Sequence, residues 1–139
     1  KMSAKTLEIE ALLAQAVDFI NQNAIEPLLE LCDYSSILML PEVPQLCGKE
    51  NINIWLKQRF ALFRFELEAE IQDIHPDECL AGVYGRFLIR STNVSSKKIH
   101  IHNGNFVVFL RRYRVAPEEA VAARWRMCLC CSNSSLPPV

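Results

Sequence analysis

The residues best suited to chemistry are few and scattered. His100 and His102 stand two apart, so on an extended strand both side chains leave the same face. That supplies two metal ligands at most. A site also needs a third ligand and supporting hydrogen bonds, and His75 falls in a separate turn segment. We therefore expect no metal. If Ile99 and Ile101 join the core, the two histidines lie on the outer face of a sheet as ordinary polar contacts. Asp73 shares parity with Leu67, Ala69 and Ile71, so strict alternation points it to the dry side, where a carboxyl gains a raised pKa and could act as acid or base. Tyr34, Trp55 and Trp125 are large aromatics, core material first and candidate walls of an apolar pocket second. Cys130 would become a nucleophile only with a group that lowers its pKa, and no histidine is near it in sequence. Arg111, Arg112 and Arg114 form a basic cluster expected to be solvated. Together Tyr34, Trp55, Asp73, His100, His102, Trp125 and Cys130 make the candidate ligand-binding set. No catalytic group can be assigned and no cofactor is expected.

The composition narrows the class. In 139 residues, half are hydrophobic, 22% are charged and the formal net charge is −1. A single domain with a real core fits that length. Near-neutral charge removes the electrostatic footprint of a general nucleic-acid binder. No apolar run reaches the roughly 18–20 residues that span a bilayer, and the chain opens directly into an amphipathic pattern with no secretory signal. We expect a soluble, cytoplasmic protein that engages neither nucleic acid nor membrane. Its six cysteines include no C-x-x-C pair, and three crowd into Met127-Cys128-Leu129-Cys130-Cys131. Buried reduced thiols fit that pattern better than disulfides or zinc.

The elements that must position these residues follow from periodicity. A helix is predicted from about Lys5 to Asn21, its stripe made by Leu7, Ala11, Ala14, Val17 and Ile20 and widened by Leu12, Leu13 and Phe19. Asn21-Gln22-Asn23 breaks it, and Asn23 is expected to cap a short helix from Ala24 to Leu31, with Pro27 in its first turn. Ser36 to Leu40 reads as a short strand closed by Pro41 and Pro44. After Gly48, a third helix presents Ile52, Trp55, Leu56, Phe60 and Phe63. From about Arg64 the period becomes two, Leu67, Ala69 and Ile71 alternating with four polar residues. His75-Pro76-Asp77-Glu78 reads as the turn, and the next strand, from about Cys79 to Arg90, puts Val83, Gly85, Phe87 and Ile89 inward. Pairing positions that sum to 154 sets Leu67 against Phe87, Ile71 against Val83 and Glu68 against Arg86. A long strand from Lys98 to Leu110 is expected to bend at Gly104. A looser connection, Tyr113 to Ala123, leads to the last strand, Trp125 to Cys131. This order predicts an α+β fold, three helices packed on one curved antiparallel sheet.

Several local signatures fall in a consistent order: Ile20-Asn21-Gln22-Asn23, Ile37-Leu38-Met39-Leu40-Pro41, Gly48-Lys49-Glu50-Asn51-Ile52, Gly82-Val83-Tyr84-Gly85-Arg86-Phe87, Gly104-Asn105-Phe106-Val107-Val108-Phe109, Arg124-Trp125-Arg126-Met127 and Ser132-Asn133-Ser134. In this order the chain resembles the nuclear-transport-factor-2-like superfamily, in particular its SnoaL-like branch. The likeness runs over residues 5–134 as one domain, with 135–139 a flexible tail. It implies a cone-shaped, cystatin-like domain enclosing a pocket, and a homodimer through the outer sheet face. That face also looks self-complementary by residue type, with Tyr84 and Leu88 set among Glu66, Glu68, Glu70, Arg86 and Arg90. In ketosteroid isomerases of this fold the carboxylate base falls at the position of Leu40 and the oxyanion-stabilising tyrosine near Ala16, so neither role is filled here. Many SnoaL-like relatives carry an acid where this chain has Cys130. A second likeness joins Arg86-Phe87-Leu88-Ile89-Arg90, Phe109-Leu110-Arg111-Arg112 and Trp125-Arg126-Met127 to the small subunits of aromatic-ring-hydroxylating dioxygenases, which are largely structural. The sequence thus favours a binder of an apolar small molecule. The alternatives are an isomerase, cyclase or hydrolase, or a non-catalytic subunit of a dioxygenase-like complex; fold alone does not choose among them.

Overall fold

Three helices and two shorter strands come first and four long strands afterwards, where the period changes from 3.6 to 2. A computed structural model describes residues 3–113 and 124–135. Helix α1 spans Ala4–Asn21, α2 Ile25–Glu30 and α3 Lys49–Leu62. Strands β1 (Cys32–Met39) and β2 (Leu46–Cys47) flank the loop before α3; β3 (Phe63–Pro76), β4 (Leu80–Asn93), β5 (Ile99–Tyr113) and β6 (Arg124–Ser132) follow. All belong to one sheet of order β2-β1-β6-β5-β4-β3. The four long strands form the expected antiparallel meander. One pair departs from the expected pattern: β1 runs parallel to β6. The chain passes through α3 and the whole meander before β1 meets β6, so no hairpin fixes their relative direction. The whole 114–123 connection, including Arg114, and most of the predicted tail lie outside the described residues.

Helix α1 starts at Ser3, whose Oγ accepts a hydrogen bond from the Thr6 amide at 3.1 Å, satisfying one of the orphan N–H groups at a helix start. Its buried stripe is Ile9, Leu12, Leu13 and Ala16. The predicted stripe is rotated from this: Leu7 is exposed, while Ala14, Val17 and Ile20 turn to a cavity. Both faces of α1 carry apolar residues, so periodicity left the choice open. Asn23 does not cap α2; the N-cap is Ala24, without a side-chain bond. Asn23 instead takes a left-handed conformation (φ 54°), which asparagine tolerates, and its Nδ2 donates to the Phe60 carbonyl at 3.3 Å. Two residues earlier, the Asn21 amide accepts from Leu67 N–H (2.6 Å) and donates to Leu67 C=O (3.1 Å). That bidentate contact ties the end of α1 to the sheet edge. In α3 the stripe Ile52, Leu56 and Phe60 is buried as predicted, while Phe63 opens β3.

The β3–β4 pairing keeps the predicted faces but slides by two. Leu67 lies opposite Ile89, Ala69 opposite Phe87 and Glu70 opposite Arg86, so the sum is 156. A shift of two leaves every side chain on its face, and the hydrophobic pattern cannot detect it. After Ile71 the register shifts again, with Asp73 opposite Tyr84 and Ile74 opposite Val83. One extra residue here is a β-bulge, which inverts the parity beyond it. The predicted turn residues His75 and Pro76 therefore still belong to β3.

Gly104 does not bend β5: its pairing with β4 is continuous from Leu80↔Arg111 to Thr92↔Ile99. A Cβ at Gly104 would lie 1.9 Å from the Asn133 carbonyl oxygen, so the glycine allows the segment after β6 to pass close by. The inward face of β5 is Gly104, Phe106, Val108 and Leu110, and Ile99 and Ile101 point outward and are exposed.

Candidate functional site

The helices do not close flat on the sheet. Between them lies a cavity of about 610 Å³. Its sheet wall is built by the inward residues of neighbouring strands: Phe65, Leu67, Ala69 and Ile71 from β3, Phe87 and Ile89 from β4, Phe106 and Val108 from β5. Strand β6 adds Met127, Cys130 and Ser132, β1 adds Ser36 and Leu38, and Leu40 follows just after β1. The helical wall is Leu13, Ala16, Val17 and Ile20 of α1 with Ile52, Trp55, Leu56, Arg59 and Phe60 of α3. Long strands with an uninterrupted inward apolar row make the concave face, and α1, anchored at Leu67 through Asn21, covers part of it.

Few polar groups reach this cavity. Ser36 is buried in its wall, and Ser132 lies at the end of β6. Burial pushes the Cys130 thiol up to about 12, with smaller contributions from Cys32 and Cys131. Burial likewise raises Cys32 to about 11, against the opposing pull of Lys49 and Arg126. Both are therefore neutral thiols at physiological pH, behaving as small apolar groups. Two ionisable side chains of opposite sign complete the lining, Glu10 on α1 and Arg59 on α3. The Arg59 guanidinium carbon sits 4.5 Å from the Phe63 ring centre and 5.9 Å from that of Trp55. Trp55 lies one turn before Arg59 on α3, where i and i+4 share a face, and Phe63 follows at the helix C-cap, where the chain turns into β3.

Of the candidates named from sequence, Trp55 and Cys130 line the cavity. The other five lie elsewhere. Tyr34 is 83% exposed. Trp125 is buried, but its Nε1 donates to Glu8 Oε2 at 3.0 Å, which pins β6 to α1. Asp73 reverses the predicted direction. The bulge carries it to the convex face, where it is exposed and its Oδ2 lies 3.0 Å from His75 Nε2. His75 in turn stacks on Tyr84 with ring centres 6.1 Å apart. His100 and His102 also reverse. They pair with Ser91 and Ile89, so they share the parity of the concave face, yet they stand exposed and stack on each other at 6.4 Å. The described residues hold no cluster of three or more His, Cys, Asp or Glu able to bind a metal ion. All six cysteines are free. Glu10, Ser36, Arg59 and Ser132 were missed. Only Arg59 carried a usable signal, a cation four residues from both Trp55 and Phe63.

A second polar group lies outside the cavity. Tyr113 donates to Asp33 Oδ2 at 2.6 Å, and Arg111 lies 3.5 Å from the same oxygen. This hydrogen bond holds the Tyr113 hydroxyl above its ordinary pKa. The cluster clasps the start of β1 to the end of β5.

No protein-family model matches the chain, and no curated protein matches it in sequence. Solved structures do match over nearly its whole length. A ketosteroid isomerase-like protein from Erwinia carotovora atroseptica superimposes with a TM-score of 0.82 at 18% identity, covering 98% of this chain and 100% of that one. A proposed aromatic ring hydroxylase from Novosphingobium aromaticivorans gives 0.80 at 12% identity, over 94% and 89% of the two chains. A nuclear-transport-factor-2-like protein from Shewanella oneidensis gives 0.71 at 16%, over 93% and 98%. The chain has the nuclear-transport-factor-2-like, cystatin-like fold. At these identities the likeness fixes architecture alone, and the side chains of the cavity must carry any statement about function.

Proposed function

We propose that this protein binds an apolar small molecule in the cavity between its helices and sheet. The observation that carries this reading is the cavity itself. A volume of about 610 Å³ is that of a typical small-ligand site, and its walls are almost wholly carbon. The isomerase, cyclase or hydrolase reading has less support. Leu40 and Ala16 supply neither base nor hydroxyl to this cavity, and its thiols are held protonated. Solubility and a cytoplasmic location belong to the same proposal; no helix among the described residues is long and apolar enough to cross a membrane. So does a homodimer through the convex sheet face, where Ile101, Ile99, Tyr84, Leu88 and Phe109 are each more than 40% exposed. Apolar side chains gathered on one open face mark an interaction surface.

The test is titration with a neutral solvatochromic dye, followed through dye emission and quenching of Trp55. Saturable one-site uptake by the folded protein is expected. Filling the cavity with Ala16→Phe should weaken uptake by roughly 10-fold or more while far-UV circular dichroism stays native, since an added ring takes the ligand's volume. Folded wild-type protein that takes up no dye would overturn the proposal.

A further inference from the structure

We infer that the cavity selects an apolar carboxylic acid, its carboxylate held by Arg59. This rests on the cavity being a ligand site and names the class of ligand. Among the described residues, Arg59 is the one basic side chain in the cavity lining and makes no side-chain hydrogen bond and no ion pair. Its guanidinium carbon lies over the Phe63 and Trp55 rings. The fork of N–H donors, unpartnered among the described residues, matches the two oxygens of a carboxylate. Held against two rings, the group loses little freedom when a ligand arrives.

The rest of the lining fixes where an acid must place its charge. An ionised carboxylate in an apolar cavity is stable only beside a hydrogen-bonding cation. Glu10, on α1, is the other charge and repels the acid head, so the ligand is oriented with its carboxylate at α3 and its apolar body along the sheet wall of Phe87, Ile89 and Phe106. Phe63 and Trp55 hold Arg59 in place, which favours an acid over an amine as the preferred ligand.

The experiment displaces the neutral dye with dodecanoic acid, 1-dodecanol and dodecylamine at pH 8, on wild type, Arg59→Gln and Arg59→Lys. The acid should bind wild type about 10-fold or more tighter than the alcohol, as a charge-assisted bidentate contact implies. That ratio should fall to about one in Arg59→Gln and recover in part in Arg59→Lys, which keeps the charge without the fork. Thermal melts confirm that each variant is folded. A wild-type ratio near one, or a ratio unchanged in both variants, would overturn the inference while leaving the cavity a binding site. Tighter binding of the amine would overturn it in favour of Glu10. If wild type takes up no dye, the binding reading itself fails, a distinguishable result.

Discussion

The packing of Gly85 against β3 gives a sharp prediction because its geometry is severe and has an internal control. Gly85 sits opposite Ile71, at the start of the bulge. A Cβ there would lie 2.1 Å from the Glu70 carbonyl oxygen and 2.9 Å from the Phe106 ring. Ordinary contact needs more than 3 Å, so the backbone of β3 would have to retreat by about 1 Å, or the β3–β4 ladder would have to re-register. Overpacking a core typically costs 1–3 kcal/mol, and more when backbone must move. We expect Gly85→Ala to lose about 3 kcal/mol. For 139 residues the unfolding entropy is about 0.3 kcal/mol/K near 60 °C, so that loss lowers Tm by about 10 °C. Gly82, on the same strand, is the control. Its Cβ would lie 3.4 Å from the Phe109 ring, a side chain 42% exposed and free to shift. Gly82→Ala should therefore stay within about 1 kcal/mol of wild type, with the lower entropy of the unfolded chain partly offsetting any crowding. Calorimetry and urea denaturation measure both. Equal melting of Gly85→Ala and wild type, or a larger loss at Gly82, would refute the packing argument.

Three further outcomes follow from the charges and thiols. Cys130 and Cys32 have folded pKa values raised to about 12 and about 11 from an ordinary value of 9, so between pH 9 and 12 the unfolded chain binds fewer protons than the native one. Stability should be unaffected by these groups below pH 9 and fall as pH rises through that window, a slope that Cys130→Val reduces in urea titrations. At pH 8, thiol-directed reagents should modify exposed Cys47 and Cys79 quickly and Cys130 slowly. On the convex face, Arg86 lies 3.2 Å from Glu70, both well exposed. Arg86→Glu should cost the monomer less than about 1 kcal/mol yet shift the proposed dimer toward monomer, read by sedimentation velocity at equal concentration. A wild type that sediments as monomer at tens of micromolar refutes the dimer.

Much of the architecture was already legible in the sequence. The change of period after Phe63 separates α3 from the four meander strands, and the alternation Val83, Gly85, Phe87, Ile89 sets the inward face of β4. Both rest on local geometry: which side a residue faces follows from its neighbours along the chain. What the tertiary structure alone decided is non-local. A register slide of two preserves every face, so only packing around Gly85 and Ile71 selects the pairing. A single extra residue at Gln72 inverts parity, which carries Asp73 outward and Ile74 inward, an outcome no alternation pattern encodes. His100 and His102 followed the face of Phe106 and Val108 because β5 pairs with β4 without a break. The cavity was the least legible feature. It is a gap whose size depends on how far α1 and α3 stand from the sheet, set by contacts such as Asn21 with Leu67 and Asn23 with Phe60. Thus Arg59 could be read as a cation four residues from both Trp55 and Phe63, but only the folded chain places it on a cavity wall, because enclosure is a property of distant segments brought together.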